Sequence, residues 1–442
     1  MNKLLLNKKL LIIILIFTLI VLGYCAYYLV NSLTDDRRAC PEFQTDIREI
    51  VLSFNTPGGR VMSIAHRADW HNYPENSLEA IKSCIDMGVD IVEIDVQKTS
   101  DGVLVLCHDI TVNRTTDGMG FISNMTYDEI KRLYLREGKG GPGAKVTKYK
   151  MPTLAAALEL TKGKIMINLD KATGYKDEIY DMLVQYDCLD TVMFKDDSSA
   201  DEIMKWFNAL KAEGKAVPLF VCKSGAKSDY ELLETADAFI QGDSSQMIEM
   251  SFLSKSYAAA KKENLDYIKR GMRTCCTMMF GIQAASLNDD ETGWADVINM
   301  GYNTIMTDEI QELTLYLNAI NNTRDAGVIE AEHFNDYSGV KVSRYDNLNK
   351  VVTGIGDKDS LIYRNIDFGS GKSSISLHIK SGKEGSVKIY IEGENNPRAS
   401  IAVGESDDYI TVTDNIGEIK GICNIKLVFG GLDAGLDYFS FS

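Results

Sequence analysis

The sequence predicts an α/β chain in which a (β/α)8 barrel of TIM type is followed by an all-β sandwich of jelly-roll form, both behind one membrane-spanning helix. Three observations predict it. Short apolar runs alternate with amphipathic segments between Val61 and Leu317, the pattern of strands and helices taken in turn. From Val328 onward, segments of alternating polarity sit between Gly, Asn and Asp turns with no helical period. Ahead of both, Leu10–Val30 reads LLIIILIFTLIVLGYCAYYLV without a charge, long enough for a bilayer core. At 442 residues the chain exceeds what one core supports. The boundaries read as 1–34 for a tail and anchor, 35–317 for the barrel, 318–327 for a linker and 328–442 for the sandwich.

At the N-terminus, Lys3, Lys8 and Lys9 precede the apolar stretch, whereas Asp35, Asp36, Arg37 and Arg38 cancel after it. The positive-inside rule then keeps the tail in the cytoplasm and puts both domains outside. A cleaved signal peptide has a shorter apolar region followed by small residues. Tyr24, Tyr27 and Tyr28 occupy that place here, so the expectation is an uncleaved, single-pass anchor in the cell membrane. Cys25 lies within it, and the eight other cysteines form no CxxC pair and no zinc-spaced cluster. An outside location permits disulfides, but Cys84 and Cys107 sit in apolar runs and read equally as buried thiols.

The barrel strands are expected at 61–65, 90–96, 103–107, 164–170, 191–194, 217–222, 247–250, 274–280 and 303–307. Amphipathic segments at 76–88, 177–186, 199–214 and 251–263 supply helices between them. Nine runs for eight strands has a simple resolution. The second and third are joined only by QKTSDG (97–102), too short for a helical crossover, so they form a hairpin. That fold-back places His108 roughly opposite Glu93, while Glu93 and Asp95 share a face by the two-residue period. Residues 110–150, rich in Gly, Thr and Lys, interrupt the alternation as an inserted loop region. Met278 and Met279 read as barrel core.

With 63 acidic against 47 basic side chains the formal net charge is −16, which excludes nucleic acid as a partner held by bulk charge. The chemistry concentrates elsewhere. Three of the five histidines, His66, His71 and His108, fall within one short stretch. His66 and Arg67 end the first strand, where barrel active sites collect. Glu93 and Asp95 end the second, and Asp170 with Lys171 ends a later one. Converging carboxylates are costly unless a cation binds them, and oxygen ligands alone suit Mg²⁺ or Ca²⁺. Two histidines across such a site can give and take protons. His71 reads as a mouth or surface residue, and His333 and His378 as structural.

These residues stand as HRAD (66–69), PEN (74–76), VEIDV (92–96), DG…HD (101–109), MPTL (151–154), LDK (169–171) and MTD (306–308). In joint order and spacing they resemble the glycerophosphodiester phosphodiesterase family over about residues 61–317. The family shows His-Arg-Gly, Pro-Glu-Asn, Ile-Glu-x-Asp-Val, Asp-Gly then His-Asp, Pro-Thr-Leu, Glu-x-Lys and a late Thr-Asp. The resemblance implies a phospholipase C-like barrel that hydrolyses glycerophosphodiesters to sn-glycerol 3-phosphate and an alcohol. It implies His66 and His108 as general base and acid, Glu93, Asp95 and Asp170 as metal ligands, and Arg67, Glu75 and Lys171 around the phosphate. Two departures bear on metal choice and substrate: Ala68 replaces Gly, and Asp170 stands where the family has Glu.

In the β region, IEAEHFNDYSGV (329–340), DSLIYRNIDFGSG (359–371) and KLVFGGLDAGLDYFSF (426–441) resemble carbohydrate-binding modules of family 6. That resemblance implies a structural calcium near Glu330, Glu332 and Asp437, and binding of a glycan or cell-wall polymer with Tyr345 and Tyr409 as candidate stacking platforms. Gly435 replaces the family's Asn. Anchor and module together point to polymeric glycerol phosphate of a bacterial envelope as substrate. Two other readings compete. A phospholipase-type barrel acting on intact lipid needs an apolar rim and releases a diglyceride; a non-catalytic envelope-binding scaffold shows no metal-dependent turnover.

Overall fold

The computed structural model describes residues 46–442 apart from 197, 225–228, 244, 252–257, 279–286 and 346–348. The expected anchor at 10–30, its flanking lysines, Cys25 and Met279 lie outside the described residues. Among the described residues no helix is long and apolar enough to cross a membrane.

All nine expected barrel strands are present: β1 (Met62–His66), β2 (Ile91–Lys98), β3 (Leu104–Leu106), β4 (Met166–Asp170), β5 (Val192–Asp196), β6 (Leu219–Ser224), β7 (Met247–Met250), β8 (Arg273–Thr277) and β9 (Thr304–Thr307). Eight run parallel, in the order β1-β9-β8-β7-β6-β5-β4-β2, and the β1–β2 pairing closes the ring. β3 is the exception. It pairs antiparallel with β2, Val96 against Leu106 and Lys98 against Leu104, as the short connection requires. The register differs from expectation by about one residue: with that pairing the Cys107 N–H donates to the Asp95 carbonyl at 3.0 Å, which sets His108 opposite Ile94 and not Glu93.

Helices start where side chains can cap them. Ser77 accepts from the Ala80 N–H ahead of Leu78–Asp86, and Thr153 from the Ala156 N–H ahead of Leu154–Thr161. Ser199 and Glu202 form a capping box at Ala200–Ala212. The helix expected at 251–263 differs. Its described part holds a 3₁₀ turn, Ala258–Ala260, and the helix itself runs Lys262–Ile268. The sequence reading named no helix at Leu154–Thr161, Asp229–Gly242, Glu291–Met300 or Ile310–Asn321, nor at Ile47–Phe54, which plugs the end of the barrel remote from the site. Its Ile50 and Phe54 pack on Met62, Ile64, Ile91 and Met306, and the fully buried Arg273 guanidinium donates to the Ser53 and Phe54 carbonyls.

The insertion after β3 builds a core of its own from Val105, Cys107, Val112, Ile122, Ile130, Leu135 and Met151. Beyond β9, helix Ile310–Asn321 runs into the segment expected as a linker, and Arg324–Asp325 already pairs with Ile366–Asp367. The segment is thus built into the fold at both ends. The C-terminal region is the expected all-β sandwich. One sheet is centred on Ser360–Asp367, Ile422–Gly430 and Gly385–Ile391, the other on Ala434–Phe441, Lys372–Ser381 and Ser406–Ile419. Leu361, Tyr363, Leu377, Leu427, Leu436 and Phe439 are among the side chains that fill the space between them. The Tyr316 hydroxyl donates to the Phe334 carbonyl at 3.0 Å, and Lys350 pairs with Glu291 at 2.7 Å, so the sandwich is fastened to the barrel. Among the described residues seven cysteines, Cys84 and Cys107 included, carry free thiols.

Candidate active site

The site stands at the C-terminal ends of β1, β2 and β4. After His66 the backbone turns sharply: Arg67 and Ala68 both take left-handed conformations, with φ of 59° and 63°. A side chain at such a position costs about 1–2 kcal/mol, which is why Ala68 is a departure with a physical content where a Gly would be unstrained. The turn aims the Arg67 N–H at Glu93 Oε2, 2.9 Å away. The Arg67 guanidinium lies 3.3 Å from Glu75 and 3.9 Å from Asp95.

Each histidine of the pair is held by an aspartate. His66 Nδ1 is 2.8 Å from Asp308 Oδ1, and Asp308 also accepts from Trp70 Nε1 at 2.9 Å and Lys139 Nζ at 2.7 Å. Burial opposes the Asp308 charge, but His66 and Lys139 outweigh it and hold the carboxyl well below its usual range. With Nδ1–H directed to Asp308, His66 Nε2 is left as the acceptor, and Arg67 Nε donates to it at 3.3 Å. His108 Nδ1 is 2.8 Å from Asp109 Oδ1. Arg114 grips that aspartate at 2.9 Å and Glu75 at 2.7 Å, and its guanidinium, with help from His108, brings Asp109 down to about 2. His71 sits at the rim, stacked on Trp70 and 3.4 Å from Glu309.

Between the histidines, Glu93, Asp95 and Asp170 each offer an oxygen within 4.8 Å of the others, and theirs is the one such acidic or mixed cluster among the described residues. Glu93 and Asp95 are 1% exposed. Burial pushes Glu93 up despite Lys195; burial also works on Asp95 and Asp170, but Lys171 and His108 pull the first down and Lys195 the second. Lys171 Nζ bonds Asp95 Oδ1, and Asn76 Nδ2 donates to Asp95 Oδ2 at 2.9 Å. Lys171 follows the acid directly and has φ 59°, which swings its side chain back over the cluster; the position two beyond Asp170 is buried Ala172. Three clustered carboxylates are the donor set of a hard divalent cation, so the residues present fit Mg²⁺ or Ca²⁺.

The structure therefore gathers His66, Arg67, Glu75, Glu93, Asp95, His108, Asp170 and Lys171 in one place. It does not so gather Glu330, Glu332 and Asp437, which form no such cluster. Asp437 Oδ2 is 3.1 Å from His378 Nδ1, and Glu332 Oε2 is buried without a hydrogen-bond partner. Tyr345 and Tyr409 meet edge to face at 5.9 Å, and the Tyr409 hydroxyl stands where a Cβ on Gly435 would reach, filling space that a larger residue would claim. Asp308, Arg114, Lys195 and Glu249 received no role from the sequence. A charged residue inside an apolar strand run, as in MIEM, was the available signal for Glu249.

Residues 66–267 match the model of the glycerophosphoryl diester phosphodiesterase family, and residues 330–442 that of carbohydrate binding module family 6. A glycerophosphodiester phosphodiesterase of Caldanaerobacter subterraneus subsp. tengcongensis is 40% identical over 116 residues, 26% of this chain and 46% of that protein. Glycerophosphodiester phosphodiesterase 1 of Rattus norvegicus is 48% identical over 83 residues, 19% of this chain and 25% of that protein. The chain thus spans less than half the length of these curated relatives. A solved glycerophosphoryl diester phosphodiesterase from Parabacteroides distasonis shares 21% identity, covering 61% of this chain and 91% of its own with a TM-score of 0.49.

Proposed function

We propose, from the match of residues 66–267 to the glycerophosphoryl diester phosphodiesterase family and of residues 330–442 to carbohydrate binding module family 6, that this chain hydrolyses glycerophosphodiesters to sn-glycerol 3-phosphate and an alcohol. The observation that carries the reading is the pair of imidazoles, each fixed through Nδ1 to an aspartate at 2.8 Å, beside one acidic cluster that also holds Arg67 and Lys171. His66 accepts through Nε2, which is freed when the phosphate draws Arg67 away from it. It takes the proton from the attacking oxygen, either water or the substrate's own neighbouring hydroxyl. A new P–O bond forms there, the P–O bond to the alcohol breaks, and His108 returns a proton to the leaving oxygen. Where the hydroxyl attacks, the product is a cyclic phosphate, which water then opens to glycerol 3-phosphate, with His108 taking the proton and His66 giving one back. Arg67 and Lys171 hold charge on the phosphate oxygens as it builds. Glu75 and Asp109, bridged by Arg114, keep Arg67 and His108 in place. A divalent ion on Glu93, Asp95 and Asp170, Mg²⁺ or Ca²⁺, supplies Lewis-acid neutralisation of the phosphate when bound.

The apolar stretch at 10–30 supports a single-pass anchor with both domains outside the cell, and the sandwich supports attachment to a glycan or cell-wall polymer. Envelope glycerol phosphate polymers fit both. The test is a substrate panel of glycerophosphodiesters, such polymers and intact phospholipid, assayed for glycerol 3-phosphate with and without chelator. Release that chelator stops and Mg²⁺ or Ca²⁺ restores is expected; no release from any substrate rejects the proposal. One observation favours action on intact lipid as a second reading. Ile110, Met119 and Phe121, in the insertion that follows His108, are 63%, 83% and 50% exposed, an apolar lip suited to acyl chains. Release of a diglyceride from the phospholipid arm identifies that activity.

A further inference from the structure

Lys195 lies on β5 inside the barrel, 3% exposed. An ammonium there is costly to desolvate unless carboxylates surround it, and three do: Asp170 at 3.0 Å, Glu93 at 3.3 Å and Glu249 at 3.5 Å. Two of these three are the residues a divalent ion would use. Every oxygen of the cluster already has a donor from the chain. Glu93 Oε1 takes Lys195 and Oε2 the Arg67 N–H. Asp170 Oδ2 takes Lys195 and Oδ1 the Lys171 N–H at 2.7 Å. Asp95 is held by Lys171 and Asn76. An incoming cation draws on oxygens that Lys195 is using, and feels its charge at close range.

Arg67 is shared between Glu75 at 3.3 Å and Asp95 at 3.9 Å, and Lys171 reaches Asp95, which leaves Lys195 as the cation set among Glu93, Asp170 and Glu249. Without Lys195 the loaded pocket carries one positive charge fewer for a phosphodiester monoanion to meet.

We propose that Lys195 is a resident cation that sets the metal affinity of this site, sharing Glu93 and Asp170 with the divalent ion so that the ion is held weakly. The proposal rests on the metal reading above. Titration calorimetry of the full-length protein with Mg²⁺ and with Ca²⁺ tests it apart from turnover. Lys195→Met is expected to bind at least tenfold more tightly than wild type, and Lys195→Arg, which keeps the charge, no more tightly than wild type. Equal or weaker binding by Lys195→Met overturns the proposal and leaves the metal reading standing; binding by neither protein fails both. Where Lys195→Met melts early in chelator, saturating metal should return its melting temperature to within a few degrees of wild type. A variant that neither cation restores overturns the proposal, since the lysine's place would then be purely structural.

Discussion

At the barrel mouth Glu93 and Asp95 are each 1% exposed, and in the sandwich Glu332 is 7% exposed, yet the two places treat buried acid differently. Around the first, Lys195, Lys171 and the Arg67 backbone reach every carboxylate, and Asp95 and Asp170 are held ionised below their usual range. Glu332 Oε2 has no such partner, and burial lifts its carboxyl to about 8. Asp437, its expected companion, is engaged with His378. Burial is nearly equal and opposes the charge in both places; neighbouring cations overcome it at Asp95 and Asp170, while Glu93 stays raised despite Lys195. A set of buried anions maintained at such a desolvation cost belongs to chemistry; a single neutralised acid can belong to packing or await a cation.

The comparison can be broken at several points. The largest effect is expected from Asp308→Asn, which removes the charge that orients His66. Turnover should fall by about 10²–10⁴-fold, with the fold intact by thermal melting; unchanged release of glycerol 3-phosphate would separate the paired acids from catalysis. Next is Arg114→Met, which strands Glu75 and Asp109 and should cost about 3 kcal/mol in denaturant unfolding at pH 7. Because Asp109 titrates near 2 when folded and at 3.8 ordinarily, its contribution is present above pH 4 and fades as pH falls toward 2. The gap between wild type and Arg114→Met should narrow over that window.

The effect confined to the narrowest conditions, absent at low pH, concerns Glu332→Gln. The folded carboxyl sheds its proton near 8 and the unfolded one near 4.5, so the wild type loses stability as pH rises through that interval and no further above it. The variant should gain about 4 kcal/mol at pH 8 and nothing below pH 4.5. A gain that ignores pH refutes the uncompensated-acid account. Calcium that stabilises wild type but not the variant at pH 8 would show a cation supplying the missing partner.

Much of the barrel was legible because strands buried on both faces read as continuous apolar runs, and the six-residue gap before Val103 admitted only a hairpin. The site residues were legible because they sit at strand ends in a shared order. What escaped reading depends on contacts far apart in sequence. Ile47, Ile50, Val51 and Phe54 have helical spacing, but only the closed ring tells them where to pack. The insertion's core is drawn from scattered residues between Val105 and Met151 with no period to reveal it. Lys195 falls one residue past the apolar run 191–194, where nothing local marks it as buried. That it is buried follows from Glu93, Asp170 and Glu249, contributed by three different strands. His108 was placed by counting around the turn, and a one-residue slip in that count moved it from Glu93 toward Asp95.

The His66–Asp308 hydrogen bond joins residues 242 positions apart, at the ends of strands β1 and β9, whose pairing shuts the barrel. Its formation during refolding must wait for nearly the whole α/β region to assemble, and contacts of such long range form slowly. Hydrolytic activity is then a clock for ring closure: after dilution from denaturant it should return later than helical signal, and with the same rate constant as the last-formed strand pair.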